Sequence, residues 1–137
     1  MKSYIVVCRP NTHLYTTSLN QRTQILYTPD ISMICSRLGL RPGCKVVESG
    51  TGSGSLSVSM TKSIFPKGHL YTFEFNKMRV EKAGDDFQKL GLSEYITVTH
   101  RDVLADGFLL EDKVVEGSMD ACFLDLPSPE LAVKHAY

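Results

Sequence analysis

The chain has 137 residues, of which 42% are hydrophobic and 22% are charged, as is usual for one globular domain with a sizeable core. Lys and Arg together number 15, as do Asp and Glu, so the formal net charge is zero and no overall basic field indicates a nucleic-acid partner. The four cysteines show neither C-x-x-C spacing nor a histidine at zinc-ligand spacing, which argues for a reduced, intracellular chain with no metal site.

Residues 1–26 differ in pattern from the rest of the chain. Residues 4–8 and 13–17 are rich in β-branched and aromatic side chains and flank a Pro-Asn pair, which predicts two short strands. The apolar run before Arg9 is too short for a signal peptide, and no later segment is long and apolar enough to predict a membrane span. A short β-rich extension is therefore expected before the main domain, which would occupy residues 27–137.

Helices and strands are predicted to alternate from Thr28 onward. Thr28, followed by proline and an acid, predicts a helix start, with the Thr28 hydroxyl as its cap, and Gly39 predicts the end. Further helices are expected after the glycine-rich loop and from Asn76 to Gly91. Strands are expected over residues 45–48, 69–75, 95–99 and 119–124. This alternation indicates an α/β fold with a parallel sheet, in which ligands bind at the carboxyl ends of the strands.

The glycine-rich loop follows the first of these strands and reads E-S-G-T-G-S-G. Gly50, Gly52 and Gly54 alternate behind Glu48, and no Lys-Ser/Thr pair follows them, so the loop is not a phosphate-binding P-loop. A dinucleotide fingerprint would need glycine where Ser55 stands. A carboxylate beside close-approach glycines favours a cationic ligand without phosphate, and S-adenosyl-L-methionine has both properties. A nicotinamide oxidoreductase and a glycine-rich turn without a ligand remain the alternatives.

Acids also lie at the end of the second predicted strand and shortly after the third. Glu74 is placed to accept hydrogen bonds from ribose hydroxyls, as acids at that position do in nucleotide-binding sheets. Asp102 is placed to accept a hydrogen bond from an adenine amino group, and Val103 to pack on the base. A capping role for Asp102 in its loop is nearly as well supported by the sequence.

Asp125 directly follows the fourth predicted strand and begins the segment D-L-P-S-P. The segment is similar to the D-P-P-Y loops with which methyltransferases hold an exocyclic amine of a base. Asp125 is therefore the candidate catalytic residue, although an aspartate before prolines also forms simple turns.

From about Arg9 to its last residue, the chain resembles the catalytic subunits of eukaryotic tRNA (adenine(58)-N(1))-methyltransferase. The segments that carry the resemblance are R-T-Q-I-L-Y (22–27), L-R-P-G (40–43), E-S-G-T-G-S-G (48–54), G-H-L (68–70), E-K-A (81–83) and F-L-D-L-P-S-P (123–129). The first and last of these are far more specific than a glycine-rich loop.

The resemblance implies a class I, Rossmann-like methyltransferase fold that uses S-adenosyl-L-methionine to methylate N1 of adenine 58 in tRNA. The cofactor contacts it implies are Leu26, Ser53, Gly54, Ser55, Glu74, Arg79, Asp102, Val103 and Asp125. The residues it places on the approach of the target nucleotide are Gln24, Ile25, Leu26, Tyr27 and Thr28. It also implies a noncatalytic partner subunit of similar fold, a heterotetramer and a nuclear location.

Two departures from the family pattern bear on activity. Glu130 stands where the family has a tryptophan that helps to shape the target-base pocket. Four strands are expected here against seven in a full methyltransferase sheet, and residues 1–26 would be the remnant of an N-terminal β-domain. A truncated form that binds the cofactor or the partner subunit without catalysis is therefore the competing expectation.

Overall fold

The computed structural model describes residues 3–20 and 23–136. The helices and strands, in chain order, are α1 (Thr12–Ser18), α2 (Thr28–Arg37), β1 (Lys45–Ser49), α3 (Ser55–Ile64), β2 (His69–Glu74), α4 (Lys77–Lys89), β3 (Ile96–His100), α5 (Val103–Asp106), β4 (Ala121–Leu124) and α6 (Pro129–Ala136).

The four strands form one parallel sheet in the order β3-β2-β1-β4. The chain runs outward from β1 through β2 to β3 and then crosses to the other side of β1 to form β4. The gap between the carboxyl ends of β1 and β4 is therefore the topological switch point, where open α/β sheets bind ligands. The predicted α/β fold with four parallel strands is confirmed.

Each face of the sheet carries its own hydrophobic core because side chains alternate along a strand. Val46, Leu70 and Phe87 belong to the cluster that also takes in α2, α3 and α4. Val47 and Phe73 belong to the cluster on the opposite face, with residues around α5 and α6. Full burial of a side chain such as Phe73, with 0% exposure, stabilises the fold by about 2–3 kcal/mol.

Two predicted helix caps have different outcomes. Asn76 caps α4 as expected, because its side-chain oxygen accepts a hydrogen bond from the Arg79 N–H at 3.2 Å. The prediction that the Thr28 hydroxyl caps α2 is wrong: Thr28 is the first helical residue, and its Oγ1 lies 2.8 Å from Nδ1 of His13. Tyr27 occupies the cap position, and its side chain makes no capping hydrogen bond.

The two strands predicted near the N-terminus are also wrong. Residues 4–8 form neither strand nor helix, and residues 13–17 lie inside α1. Asn11 starts this helix by accepting a hydrogen bond from the Leu14 N–H at 2.8 Å. Packing of α1 against α3 buries Thr16, so tertiary contacts override the local preference for strand. The domain boundary at residue 26 stays a prediction.

Candidate functional site

A cavity of about 720 Å³ opens at the carboxyl ends of the strands, over the switch point. Nine of its lining residues were predicted as site residues: Gln24, Leu26, Gly50, Gly52, Glu74, Arg79, Asp102, Val103 and Asp125. Residues from five separate parts of the chain therefore meet around one cleft, as expected where parallel strands end at a common edge.

The glycine-rich loop passes very close to the end of β4. Gly50 has φ +97°, and a Cβ added to it would overlap the carbonyl oxygen of Asp125. The N–H of Asp125 donates to the carbonyl of Ser49 at 2.8 Å, so the two strand ends are held together at this point. Gly50 is therefore required both by its backbone conformation and by the close approach of a second strand.

Glu74 is 6% exposed and organises the opposite side of the cleft. One carboxylate oxygen accepts a hydrogen bond from the Gly52 N–H at 3.1 Å, and the other accepts one from the Asn76 N–H at 3.0 Å. Arg79 lies 3.9 Å from the same carboxylate and its side chain is 45% exposed. Each carboxylate oxygen keeps a lone pair, so Glu74 can also accept hydrogen bonds from ligand hydroxyls.

Asp102 and Val103 line the cleft just beyond the carboxyl end of β3. The side chain of Asp102 caps α5 by accepting a hydrogen bond from the Leu104 N–H at 3.0 Å, and Asp102 also lines the cavity. The capping interpretation is thus confirmed, and the contact of Asp102 with an adenine amino group stays a prediction. Val103 is buried and presents an apolar surface beside the acid.

Asp125 lies at the mouth of the cleft with an exposed side chain. Leu126 and Pro127 continue the cavity wall, and the non-glycine residue Ser128 adopts φ +57° before α6 begins. Glu130 is exposed in the first turn of α6 and is absent from the cavity lining. The carboxylate of Asp125 can therefore meet both a bound ligand and a molecule that enters from solvent.

Glu48 was predicted beside the ligand, and the structure places it below the loop instead. Its side chain is 1% exposed and accepts a hydrogen bond from the Ser57 hydroxyl at 2.6 Å. Burial raises the pKa of this carboxyl to about 7, against the lowering effect of the hydrogen bonds from Ser57 and Thr72. Glu48 does not line the cavity, so any influence on a ligand there passes through the loop.

Besides Glu48, six other predicted residues do not line the cavity. Ser53 accepts a hydrogen bond from the Ser55 N–H at 3.3 Å within the loop, and the Ser55 hydroxyl donates to the Leu26 carbonyl at 2.9 Å. Gly54 is the N-cap of α3, with φ +79°. The remaining residues of this kind are Ile25, which is buried, Tyr27, which is exposed, and Thr28, the first residue of α2.

The cavity also includes residues that the sequence reasoning did not select, namely Thr23, Ser49, Phe73, Phe75, Asn76, Arg101, Leu104, Leu126 and Pro127. Six of the nine adjoin a predicted residue at or just after the carboxyl end of a strand, namely Ser49, Phe73, Phe75, Arg101, Leu104 and Leu126. Their place at the carboxyl end of a strand was the signal that could have found them. Ligands bind along this whole edge of a parallel sheet, so every residue there is a candidate, and not the acids and glycines alone.

Two other kinds of feature, a metal site and a membrane-spanning helix, are absent from the residues that the structure describes. Over residues 3–20 and 23–136, no group of three or more His, Cys, Asp and Glu side chains is arranged to hold a metal ion. Among the same residues, no helix is long and apolar enough to cross a membrane. The four cysteines are free thiols, and burial raises the pKa of Cys122 to about 11.

The parallel sheet and the position of the cleft show that the chain has the Rossmann-like fold of S-adenosylmethionine-dependent methyltransferases. A SAM-dependent O-methyltransferase from Thermotoga maritima superposes with a TM-score of 0.78 at 26% identity, over 93% of this chain and 45% of the other. A tRNA (m1A58) methyltransferase from Aquifex aeolicus superposes with a TM-score of 0.69 at 27% identity, over 88% of this chain and 46% of the other.

The chain belongs to the family described as the tRNA methyltransferase complex GCD14 subunit, whose model matches residues 3–137. It is 53% identical to a tRNA (adenine(58)-N(1))-methyltransferase catalytic subunit from Dictyostelium discoideum, over 90% of this chain. It is 42% identical to the subunit of the same name from Candida albicans, over 96% of this chain. The chain spans 39% and 38% of the lengths of these two relatives.

Proposed function

We propose that this chain binds S-adenosyl-L-methionine and directs its methyl group to N1 of adenine 58 in tRNA. The observation that carries the proposal is the convergence of Glu74, Asp102 and Asp125 on one cleft at the switch point of the sheet. These acids come from the ends of three different strands. The family match and the named activity of the relatives supply the reaction.

The chemistry of the cleft fits this cofactor better than a nucleotide phosphate. Glu74 is available to ribose hydroxyls, and Asp102 with Val103 offers an acceptor and an apolar surface to adenine. Three carboxylates line the same cavity as Arg79 and Arg101, and Arg79 is already beside Glu74. Carboxylates favour a ligand with sulfonium and ammonium groups and disfavour pyrophosphate.

Asp125 is the residue we propose for the acceptor base. N1 of neutral adenine has a lone pair, so the transfer requires alignment of the base more than a general base. Asp125 accepts a hydrogen bond from the exocyclic amine, orients the ring and stabilises the positive charge that develops on it. The bound cofactor supplies the electrophilic methyl group. Because the target adenine is stacked in tRNA, it must turn out to reach the cleft.

We further propose that residues 24–28 border the path of the incoming nucleotide. Gln24 and Leu26 line the cavity, and Tyr27 is 45% exposed at the start of α2. The exposed ring of Tyr27 offers a stacking surface for an unstacked base. Ile25 is buried and anchors the segment to the domain.

A noncatalytic subunit in a heterotetramer and a nuclear location are further proposals that rest on the family resemblance. Binding of the tRNA phosphates requires positive charge, and this chain has a net charge of zero. This supports an RNA-binding surface that the chain shares with the noncatalytic subunit. Methyl transfer would then be measured with the homologous partner present as well as absent.

The first experiment is a calorimetric titration of S-adenosylhomocysteine into this chain. We expect binding to wild type and to Glu81→Ala, an exposed acid on α4, and at least a tenfold loss in Glu74→Ala. Equal binding to wild type and Glu74→Ala would contradict the assignment of the cleft. Preference for a nicotinamide cofactor over S-adenosylhomocysteine would contradict the proposed reaction.

A further inference from the structure

Helix α1 lies against the point where the glycine-rich loop becomes α3. Thr16 of α1 is 2% exposed and Ser55, the first residue of α3, is 1% exposed. The hydroxyl oxygen of Tyr15 lies 3.5 Å from the position that a Cβ of Gly54 would occupy. Two successive residues of α1 therefore contact the loop–helix junction, although the sequence alone assigned these residues to a strand with no role in the site.

Thr16 and Ser55 form a hydrogen-bonded chain that ends on the backbone of the cleft wall. The hydroxyls of Thr16 and Ser55 lie 2.8 Å apart, and the Ser55 hydroxyl donates to the Leu26 carbonyl at 2.9 Å. A serine hydroxyl has one hydrogen, and Ser55 uses it on Leu26. Thr16 must therefore donate to Ser55, so the chain has one direction, from Thr16 through Ser55 to Leu26.

The end of this chain is part of the proposed cofactor site. Leu26 lines the cavity together with Thr23 and Gln24, and these residues precede α2 without regular secondary structure. A loop segment of this kind keeps one position only where side chains and buried backbone groups hold it. The Leu26 carbonyl is held through Ser55, and the neighbouring Ile25 is held by burial.

We propose that Thr16 is a positioning residue, which acts through Ser55 to hold residues 23–27 as the wall of the cofactor cleft. The Ser55 side chain then serves the site by fixing the wall, and α1 belongs functionally to the cofactor-binding domain. This inference rests on the proposed function only for the identity of the ligand. The hydrogen bonds from Thr16 through Ser55 to Leu26 can be tested without any ligand.

The first test is amide hydrogen exchange of this chain in the absence of ligand. In Thr16→Val, we expect the amides of residues 24–27 to exchange about three to ten times faster, the effect of losing one buried hydrogen bond. Thr16→Ser keeps the hydroxyl and should restore wild-type exchange. Thr17→Val is the matched control, since Thr17 is exposed and its hydroxyl donates to carbonyls of its own helix.

The second test is calorimetric titration of S-adenosylhomocysteine into Thr16→Val, Ser55→Ala and the double variant. If Thr16 acts through Ser55, the double variant should bind no more weakly than Ser55→Ala alone. Additive losses would overturn the proposal, as would unchanged exchange at residues 24–27 in Thr16→Val or an acceleration spread evenly over the sheet.

Wild-type exchange decides the question should Thr16→Val fail to fold. As denaturant is raised within the range where the chain stays folded, the amides of α1 and of residues 24–27 should begin to exchange through one shared opening event. Separate opening events for the two segments would overturn the proposal. A wild-type chain that binds no S-adenosylhomocysteine but shows coupled opening would contradict the proposed function and leave the role of Thr16 supported.

Discussion

Gly50 and Asp125 are in contact where the first and fourth strands end, and there is no room for a side chain between them. A Cβ on Gly50 would overlap the carbonyl oxygen of Asp125, and the φ of Gly50 is +97°. The glycine-rich loop is thus fitted to the strand end that carries the proposed catalytic acid, as well as to the cleft.

Gly50→Ala should therefore be costly in two ways. The positive φ is strained for alanine, and the new methyl group displaces Asp125, so we expect a loss of at least about 2 kcal/mol in the free energy of unfolding. Gly43→Ala is the matched control, because Gly43 has φ +98° and no atom within 4 Å of its Cβ position. Chemical denaturation measures both. Equal losses in the two variants would mean that strain alone, and not contact with Asp125, explains the requirement for glycine.

Glu48 should make the stability of the chain depend on pH. Burial raises the pKa of this carboxyl from 4.5 to about 7 in the folded protein, so between these values the folded state binds more protons than the unfolded state. The stabilisation is complete below pH 4.5 and is lost as the pH rises to about 7. Relative to Glu48→Gln, the free energy of unfolding of wild type should fall by about 3 kcal/mol over this window. Parallel denaturation profiles for the two proteins would show that Glu48 does not carry this proton.

Asp125→Ala should separate methyl transfer from cofactor binding. Asp125 is exposed at the cleft mouth, where we propose that it holds the acceptor base. Its removal should therefore lower methyl transfer to a tRNA transcript at least about a hundredfold. Binding of S-adenosylhomocysteine should weaken by less than about fivefold, the scale of one hydrogen bond. Asp112→Ala, which removes an exposed acid outside the cleft, is the control. Near-normal transfer by Asp125→Ala would remove it from the reaction.

Asn76→Ala should destabilise α4 by about 1 kcal/mol, the usual cost of a lost N-cap. The backbone N–H of residue 76 would still donate to Glu74, so the carboxylate should keep that hydrogen bond. Thermal unfolding of Asn76→Ala and Asn76→Asp tests the effect, and aspartate should restore most of the stability. A similar loss in both variants would show that the cap is not the cause.

Local sequence signals predicted most of the elements that build the cleft. Alternating helices and strands specified the parallel sheet, and Gly39, Asn76 and Gly91 marked the helix ends where the structure has them. Glu74, Asp102 and Asp125 were selected because each lies at or shortly after the carboxyl end of a predicted strand. The helix-end signals at Gly39, Asn76 and Gly91 succeeded because these helix ends depend mainly on nearby residues.

Two of the wrong predictions, the strand over residues 13–17 and the ligand-facing Glu48, fail because of contacts between distant parts of the chain. Residues 13–17 have the composition of a strand, but their packing on α3 stabilises a helix. Glu48 looked like a ligand-facing acid beside the loop, yet it shares the sheet face of Val46, which α3 covers, and Ser57 satisfies it there.

By itself, the sequence determined the strand–helix alternation, the need for glycine behind β1, and which acids end the strands. Only the tertiary structure decided that Glu48 is buried and carries a raised pKa, that Gly50 touches Asp125, and that Thr16 reaches Leu26 through Ser55. Propensities and caps act over a few residues, whereas burial and hydrogen bonding between α1, α3 and the cleft wall join residues up to 39 positions apart.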